Sequence, residues 1–135
     1  MLDMENIPNE IANLARKHGL LLMVLFGSQA TGKTHRESDV DIGIVARDDF
    51  DYRRSYALEQ ELAPIFKRRD IEVVNLRLVS PLLLMRVAQK GKLLYEERPG
   101  MFVRLKVMAL RRYVDTAPLR RMERRSRRAA RRVAV

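Results

Sequence analysis

The stretch from Phe26 to Val45, FGSQATGKTHRESDVDIGIV, decides how the chain folds. A run of large apolar residues, Leu20 to Phe26, stops at Gly27-Ser28, and after ten further residues Asp39-Val40-Asp41 leads into a second apolar run, Ile42 to Ala46. The pattern predicts a strand, a phosphate-sized turn, a loop, and a second strand that begins with two acids. Side chains alternate between faces along a strand, so Asp39 and Asp41 project together. Two carboxylates held side by side repel each other unless a cation sits between them. Hard oxygen ligands favour magnesium, which keeps several waters and shares its shell with substrate phosphates. Gly27 lets the backbone pass close to such phosphates, and Ser28, at the start of a short helical turn, offers them a hydroxyl and an amide.

The same letters contain a decoy. Gly27 to Thr34, GSQATGKT, fits the P-loop pattern G-x-x-x-x-G-K-[ST] after an apolar strand. A P-loop needs a helix of several turns behind its Lys, to aim an N-terminus at the phosphates, yet only His35 to Ser38 separate Thr34 from the acidic strand. That leaves no room for the helix, and no later apolar strand ends in Asp.

The chain has 135 residues, enough for one domain with a real core. It has no Cys, hence neither a disulfide framework nor a thiolate metal site, in keeping with a reducing compartment. No segment is apolar enough over a sufficient length to span a membrane, so the expectation is a soluble, cytoplasmic protein. Its net charge of +10 is uneven: residues 1–97 hold 14 Lys and Arg against 15 Asp and Glu, whereas residues 98–135 hold 13 against 2. The basicity therefore belongs to a C-terminal appendage. We expect a domain over residues 1–117 and an Arg-rich tail over 118–135, able to contact nucleic acid or an acidic protein, or simply to stay solvated.

Taken in order, Asn6 to His18 has apolar residues at Ile7, Ile11, Leu14 and Ala15, a helical stripe ended by Gly19. Tyr52 to Arg69 reads as a second helix, kinked or broken near Ala63 because Pro64 falls inside the pattern. Ile71 to Leu76 is a β-branched strand carrying Glu72. Ser80-Pro81 starts a helix that Gly91 stops, Leu93 to Tyr95 is a short strand, and Met101 to Val114 is an amphipathic helix that Pro118 brings to an end. Strands alternating with helices predict an α/β fold, a small mixed sheet flanked by helices. Asp39, Asp41 and Glu72 then converge from neighbouring strands, with Asp70 as the alternative third acid and an ordinary exposed edge-strand acid as the plain reading of Glu72.

These residues resemble the nucleotidyltransferase superfamily, whose pattern is Gly-Ser, ten residues, Asp-x-Asp, and a third acid on a later strand. Ile71-Glu72-Val73-Val74-Asn75-Leu76, Pro81-Leu82-Leu83 and Gly91-Lys92-Leu93-Leu94-Tyr95-Glu96 narrow the resemblance to the minimal nucleotidyltransferase (MNT) antitoxins that pair with HEPN-domain toxins. It extends to about Pro118. The resemblance implies Asp39, Asp41 and Glu72 as catalytic metal ligands, Gly27, Ser28, Lys33 and Ser38 around the nucleotide, two magnesium ions, and ATP as substrate. The family usually has Asp at the position of Glu72 and Arg at that of Thr31, where Lys33 or Arg36 would compensate. It further implies transfer of AMP to a hydroxyl, typically a tyrosine, of a HEPN ribonuclease toxin held in a hetero-oligomer. Two alternatives are an antitoxin that works by binding alone and a nucleotidyltransferase acting on RNA or a small-molecule hydroxyl.

Overall fold

The structure, a computed structural model, describes residues 7–27 and 40–133. The apolar run Leu20–Phe26 forms β1, and Val40–Ala46 forms β2, paired antiparallel to it. Each of these strands is apolar on both faces, as central strands of a sheet covered on two sides must be. Between β2 and the parallel strand β3 (Ile71–Asn75) runs a crossover helix, Tyr52–Phe66; with Ile7–Lys17 as α1, it is α2. The helix Pro81–Lys90 (α3) leads to β4, Lys92–Glu96, which pairs antiparallel with the other edge of β1. The four strands lie in the order β3-β2-β1-β4, the small mixed sheet expected.

Two apolar clusters cover the sheet. On one face Ile11 and Ala15 of α1 and Leu58 and Leu62 of α2 pack on Met23, Ile42, Ile44 and Val73. On the other, Leu84 and Val87 of α3 and Phe102, Leu105 and Ala109 of α4 (Met101–Asp115) pack on Leu22, Val24 and Phe26. Alternation along β1 sends Leu22, Val24 and Phe26 to one cluster and Met23 to the other, and the register shift between Leu20 and Leu22 places Leu20 on the side of Met23.

Pro64 does not break α2. It lies in the last turn of a helix that runs to Phe66, and Lys67, in the left-handed region at φ 54°, ends it by donating its N–H to the Ala63 carbonyl. One missing N–H so near the end removes little of the hydrogen-bond ladder, and the helix continues past the break expected near Ala63. The helix is accordingly shorter than the predicted span to Arg69. Ser80 caps α3 as the sequence implies, its side chain accepting from the Leu83 N–H at 3.2 Å.

The Arg-rich tail is a helix of 17 residues, α5, Ala117–Val133. As expected, α4 ends at Asp115, ahead of Pro118; what the sequence did not announce is that Pro118 then sits in the first turn of a new helix, where a missing N–H is tolerated. The junction after α4 is fixed by Arg120, which donates to the Tyr113 carbonyl and the Thr116 hydroxyl, both at 2.6 Å, and stacks over the Tyr113 ring at 3.7 Å. From Arg121 to Arg131 the side chains of α5 are exposed.

Gly91 joins α3 to β4 at a point without space for a side chain. A Cβ there would lie 2.4 Å from the Val87 carbonyl oxygen and 2.5 Å from the Val24 side chain. Since one of these neighbours is backbone, relief requires α3 to move off the sheet. Gly91→Ala is expected to destabilise the chain by about 1–3 kcal/mol, the range of an overpacked core, read as a lower urea midpoint at unchanged slope.

Candidate active site

Parallel pairing of β2 with β3 sets Asp41 directly beside Glu72, with Val40 beside Ile71 and Ile42 beside Val73. In that register, paired residues project to the same face. Asp41 is half-buried and Glu72 is exposed, so the two acids stand at the edge of the sheet and not in its core. The start of β2 is held by the backbone, the Val40 N–H donating to the Asp70 carbonyl at 2.8 Å.

On the other side of β2, Phe26 is the partner of Asp41, and Gly27 follows at φ 80°, a left-handed conformation that suits Gly. A Cβ on Gly27 would come within 2.4 Å of the Asp41 carboxylate. The bare backbone therefore bends the chain out of β1 and leaves the carboxylate its place. Gly27 and Asp41 open into a cavity of about 440 Å³, also lined by Phe26 and Leu83 and by two cations of α3, Arg86 and Lys90. The cavity thus has one acid, Asp41, on one side and positive charge along the other.

Arg86 and Lys90 were not singled out in the sequence. The signal was available: they are four residues apart on a helix, hence on one side, and that side also carries Leu83 next to the buried Leu84 and Val87. What sequence alone could not supply was the packing of α3 across the end of β1, which aims this side at Gly27.

Asp70, the alternative third acid, is otherwise engaged. Its carboxylate receives both the Arg68 Nε–H, at 2.8 Å, and a guanidinium N–H of the same residue. The hydrogen bond from Arg68 holds the Asp70 carboxyl below its ordinary range. Asp70 is thereby turned to a neighbour on its own loop, while Glu72 is the residue in register with Asp41. Ser28, Lys33, Ser38 and Asp39 lie outside the described residues, as does the decoy Thr34. Among the described residues no three His, Cys, Asp or Glu side chains gather to form a metal cluster. A larger groove, about 490 Å³, opens elsewhere, with Leu22, Val45 and Leu76 in its lining and Arg77, Arg104 and Arg112 around it. It has no acid in its lining and offers no such ligand.

Comparisons with known proteins place the fold in a family. The family described as "Polymerase beta, Nucleotidyltransferase" matches residues 9–99. The protein adenylyltransferase MntA of Shewanella oneidensis is 38% identical over 89 residues, which cover 64% of this chain and 63% of the relative. That of Aphanizomenon flos-aquae is 36% identical over 91 residues, covering 60% of this chain and 59% of the relative. The chain thus spans about three-fifths of the length of the curated relatives it matches. Among solved structures, a toxin–antitoxin crystal structure with AMP-PNP superposes with a TM-score of 0.75 at 30% identity, covering 88% of this chain and 96% of the other. A complex of tri-AMPylated Shewanella oneidensis HEPN toxin with MNT antitoxin gives 0.71 at 27% identity, covering 90% and 96%. With its acids paired across β2 and β3 and the family match running through both strands, the chain belongs to the polymerase beta-type nucleotidyltransferase family.

Proposed function

We propose that the chain is a magnesium-dependent adenylyltransferase antitoxin that moves AMP from ATP to a hydroxyl, a tyrosine in our reading, of a HEPN toxin. The single observation that carries this reading is the register of Asp41 against Glu72, with Gly27 packed over the Asp41 carboxylate. The adenylyltransferase relatives and the AMP-PNP complex support it.

The donor set fits magnesium: two carboxylates side by side, both hard oxygen donors, at a half-exposed edge where water can complete the shell. Asp41, Glu72 and the neighbouring Asp39 would hold it. Bound there, magnesium neutralises the triphosphate and sharpens the acceptor hydroxyl as a nucleophile. The protein's own share is positioning and charge. Gly27 gives the phosphates a close approach to backbone, with Ser28, Lys33 and Ser38 following in the sequence. Arg86 and Lys90 face the cavity from α3 and take the negative charge that grows on the leaving pyrophosphate. In the transfer the hydroxyl oxygen bonds to the α-phosphorus, the bond from that phosphorus to pyrophosphate breaks, and the hydroxyl proton passes to solvent.

A protein acceptor needs a docking face, and α4 has one. Val103, Val107, Leu110 and Val114 are 62%, 48%, 50% and 59% exposed and follow one another at steps of four, three and four residues. That is the seam by which one helix packs on another. Arg104, Lys106 and Arg111 flank it, so a second copy of this chain would meet its own charges, and an acid-flanked helix of the toxin would be matched.

Two outcomes follow for single-turnover transfer to the cognate toxin, and two more for binding. Asp41→Asn is expected to lower the rate by several orders of magnitude and Lys33→Ala far less; the reverse ranking would restore the P-loop. Glu72→Gln should be similarly crippling while ATP remains bound, Glu72→Asp should keep activity, and Asp70→Asn should change little; a silent Glu72→Gln with a dead Asp70→Asn would move the third acid by two positions. For Arg86→Ala and Lys90→Ala we expect ATP binding in magnesium to weaken about tenfold each, the value of a charge-assisted hydrogen bond, with the toxin's affinity unaltered. Conversely, Val107→Asp with Leu110→Asp should weaken the toxin complex at least a hundredfold in calorimetry and leave ATP binding as it was.

A further inference from the structure

Helix α5 carries seven arginines between Arg120 and Arg131 and a single acid, Glu123. Arg120 is consumed by the junction with α4. The other six fall into two rows along the helix. Arg124, Arg127 and Arg131 are separated by three and four residues, and Arg121, Arg125 and Arg128 by four and three, so each row runs parallel to the axis. Between the rows the helix carries no other residue type that reaches outward; the opposite side bears Leu119, Met122, Ser126, Ala129 and Ala130. All six guanidinium groups are exposed, and none has a carboxylate partner among the described residues.

Six like charges placed three or four residues apart repel one another along the helix, and among the described residues of the helix only Glu123, one turn before Arg127, stands against them. A polyanion does. Two parallel rows, one on each flank of a single face, correspond to two parallel lines of phosphate. A helix is about 10–12 Å across with its side chains, and the B-form major groove is about 12 Å wide, so the helix can lie in the groove with one row toward each strand. A-form RNA has too narrow a major groove for this. A membrane surface suits it poorly, since the side opposite the arginines has only two large apolar residues and no aromatic.

We propose that α5 is a binding helix for double-stranded DNA, gripping the phosphates of both strands without reading sequence. It carries no Asn, Gln or Lys, and Arg rows spread to the flanks leave base edges untouched, so affinity comes from released counterions. The inference is independent of the nucleotidyl transfer chemistry and concerns a part of the chain beyond the matched family region, residues 9–99.

Fluorescence anisotropy of the full chain with a labelled 20-base-pair duplex tests it. We expect two unrelated duplex sequences to bind equally, with an affinity that falls about a thousandfold between 50 and 200 mM salt, a log–log slope near −5 for six phosphate contacts. Arg124→Ala with Arg127→Ala, and separately Arg125→Ala with Arg128→Ala, should each reduce that slope by about 2, with helix content by circular dichroism retained. Both rows must matter. Single-stranded DNA or RNA of the same length bound as tightly as the duplex would overturn the proposal, as would slopes unchanged in both double variants. Binding to phosphatidylserine vesicles that outcompetes the duplex and is lost in Leu119→Ala with Met122→Ala would assign the helix to membranes instead. Absence of duplex binding at 50 mM salt would leave α5 a solvated helix and end the proposal.

Discussion

The pairing of β2 with β3 is the constraint on which the rest depends. A parallel pair needs a long crossover, supplied by α2, and its register is fixed by the apolar residues on either side of the acids: Val40 and Ile42 against Ile71 and Val73. Slipping β3 by one residue would turn Ile71 and Val73 outward. The like charges of Asp41 and Glu72 are brought together by packing that has nothing to do with charge, and the repulsion between them is what makes a cation welcome.

On the opposite side of the sheet from α1 and α2, α3 completes the arrangement. Its buried residues Leu84, Val87 and Ala88 are drawn down by the apolar face of β1, and this leaves Arg86 and Lys90 beside the cavity that Gly27 opens. One apolar contact area therefore positions both the floor of the site and its positive wall. In the same way α4 buries Phe102, Leu105 and Ala109 and keeps a second apolar row outward, which an isolated soluble helix has no reason to carry.

Most of the fold was legible from periodicity. The strands Leu20–Phe26 and Val40–Ala46, the capped start of α3 at Ser80-Pro81 and the stop at Gly91 all follow local rules that tertiary structure did not override. Pro64 misled, because position within a helix matters more than presence: in the last turn a proline removes little. The helical winding of the tail was not foreseen from its composition. Arginine is a good helix former taken singly, and charge density alone says nothing about whether the segment winds. At the site, the partnership of Asp41 and Glu72 could be anticipated from alternation along two strands, whereas the choice of Glu72 over Asp70 as neighbour required the register. The cations of α3 needed the packing of a helix against a sheet, which no single window of sequence contains.

Asp41 and Glu72 contribute almost nothing to either apolar cluster, and both stand where water reaches them. Their loss would relieve a repulsion and open no hole. On the proposed function, chemistry and architecture are held by separate residues in evolutionary terms, so a descendant could shed the transfer reaction in one substitution and persist as a folded protein that still presents the α4 seam. The turn at Gly27 is the exception, since there one residue serves the bend of the chain and the room for the acid, and drift at that position would touch both at once.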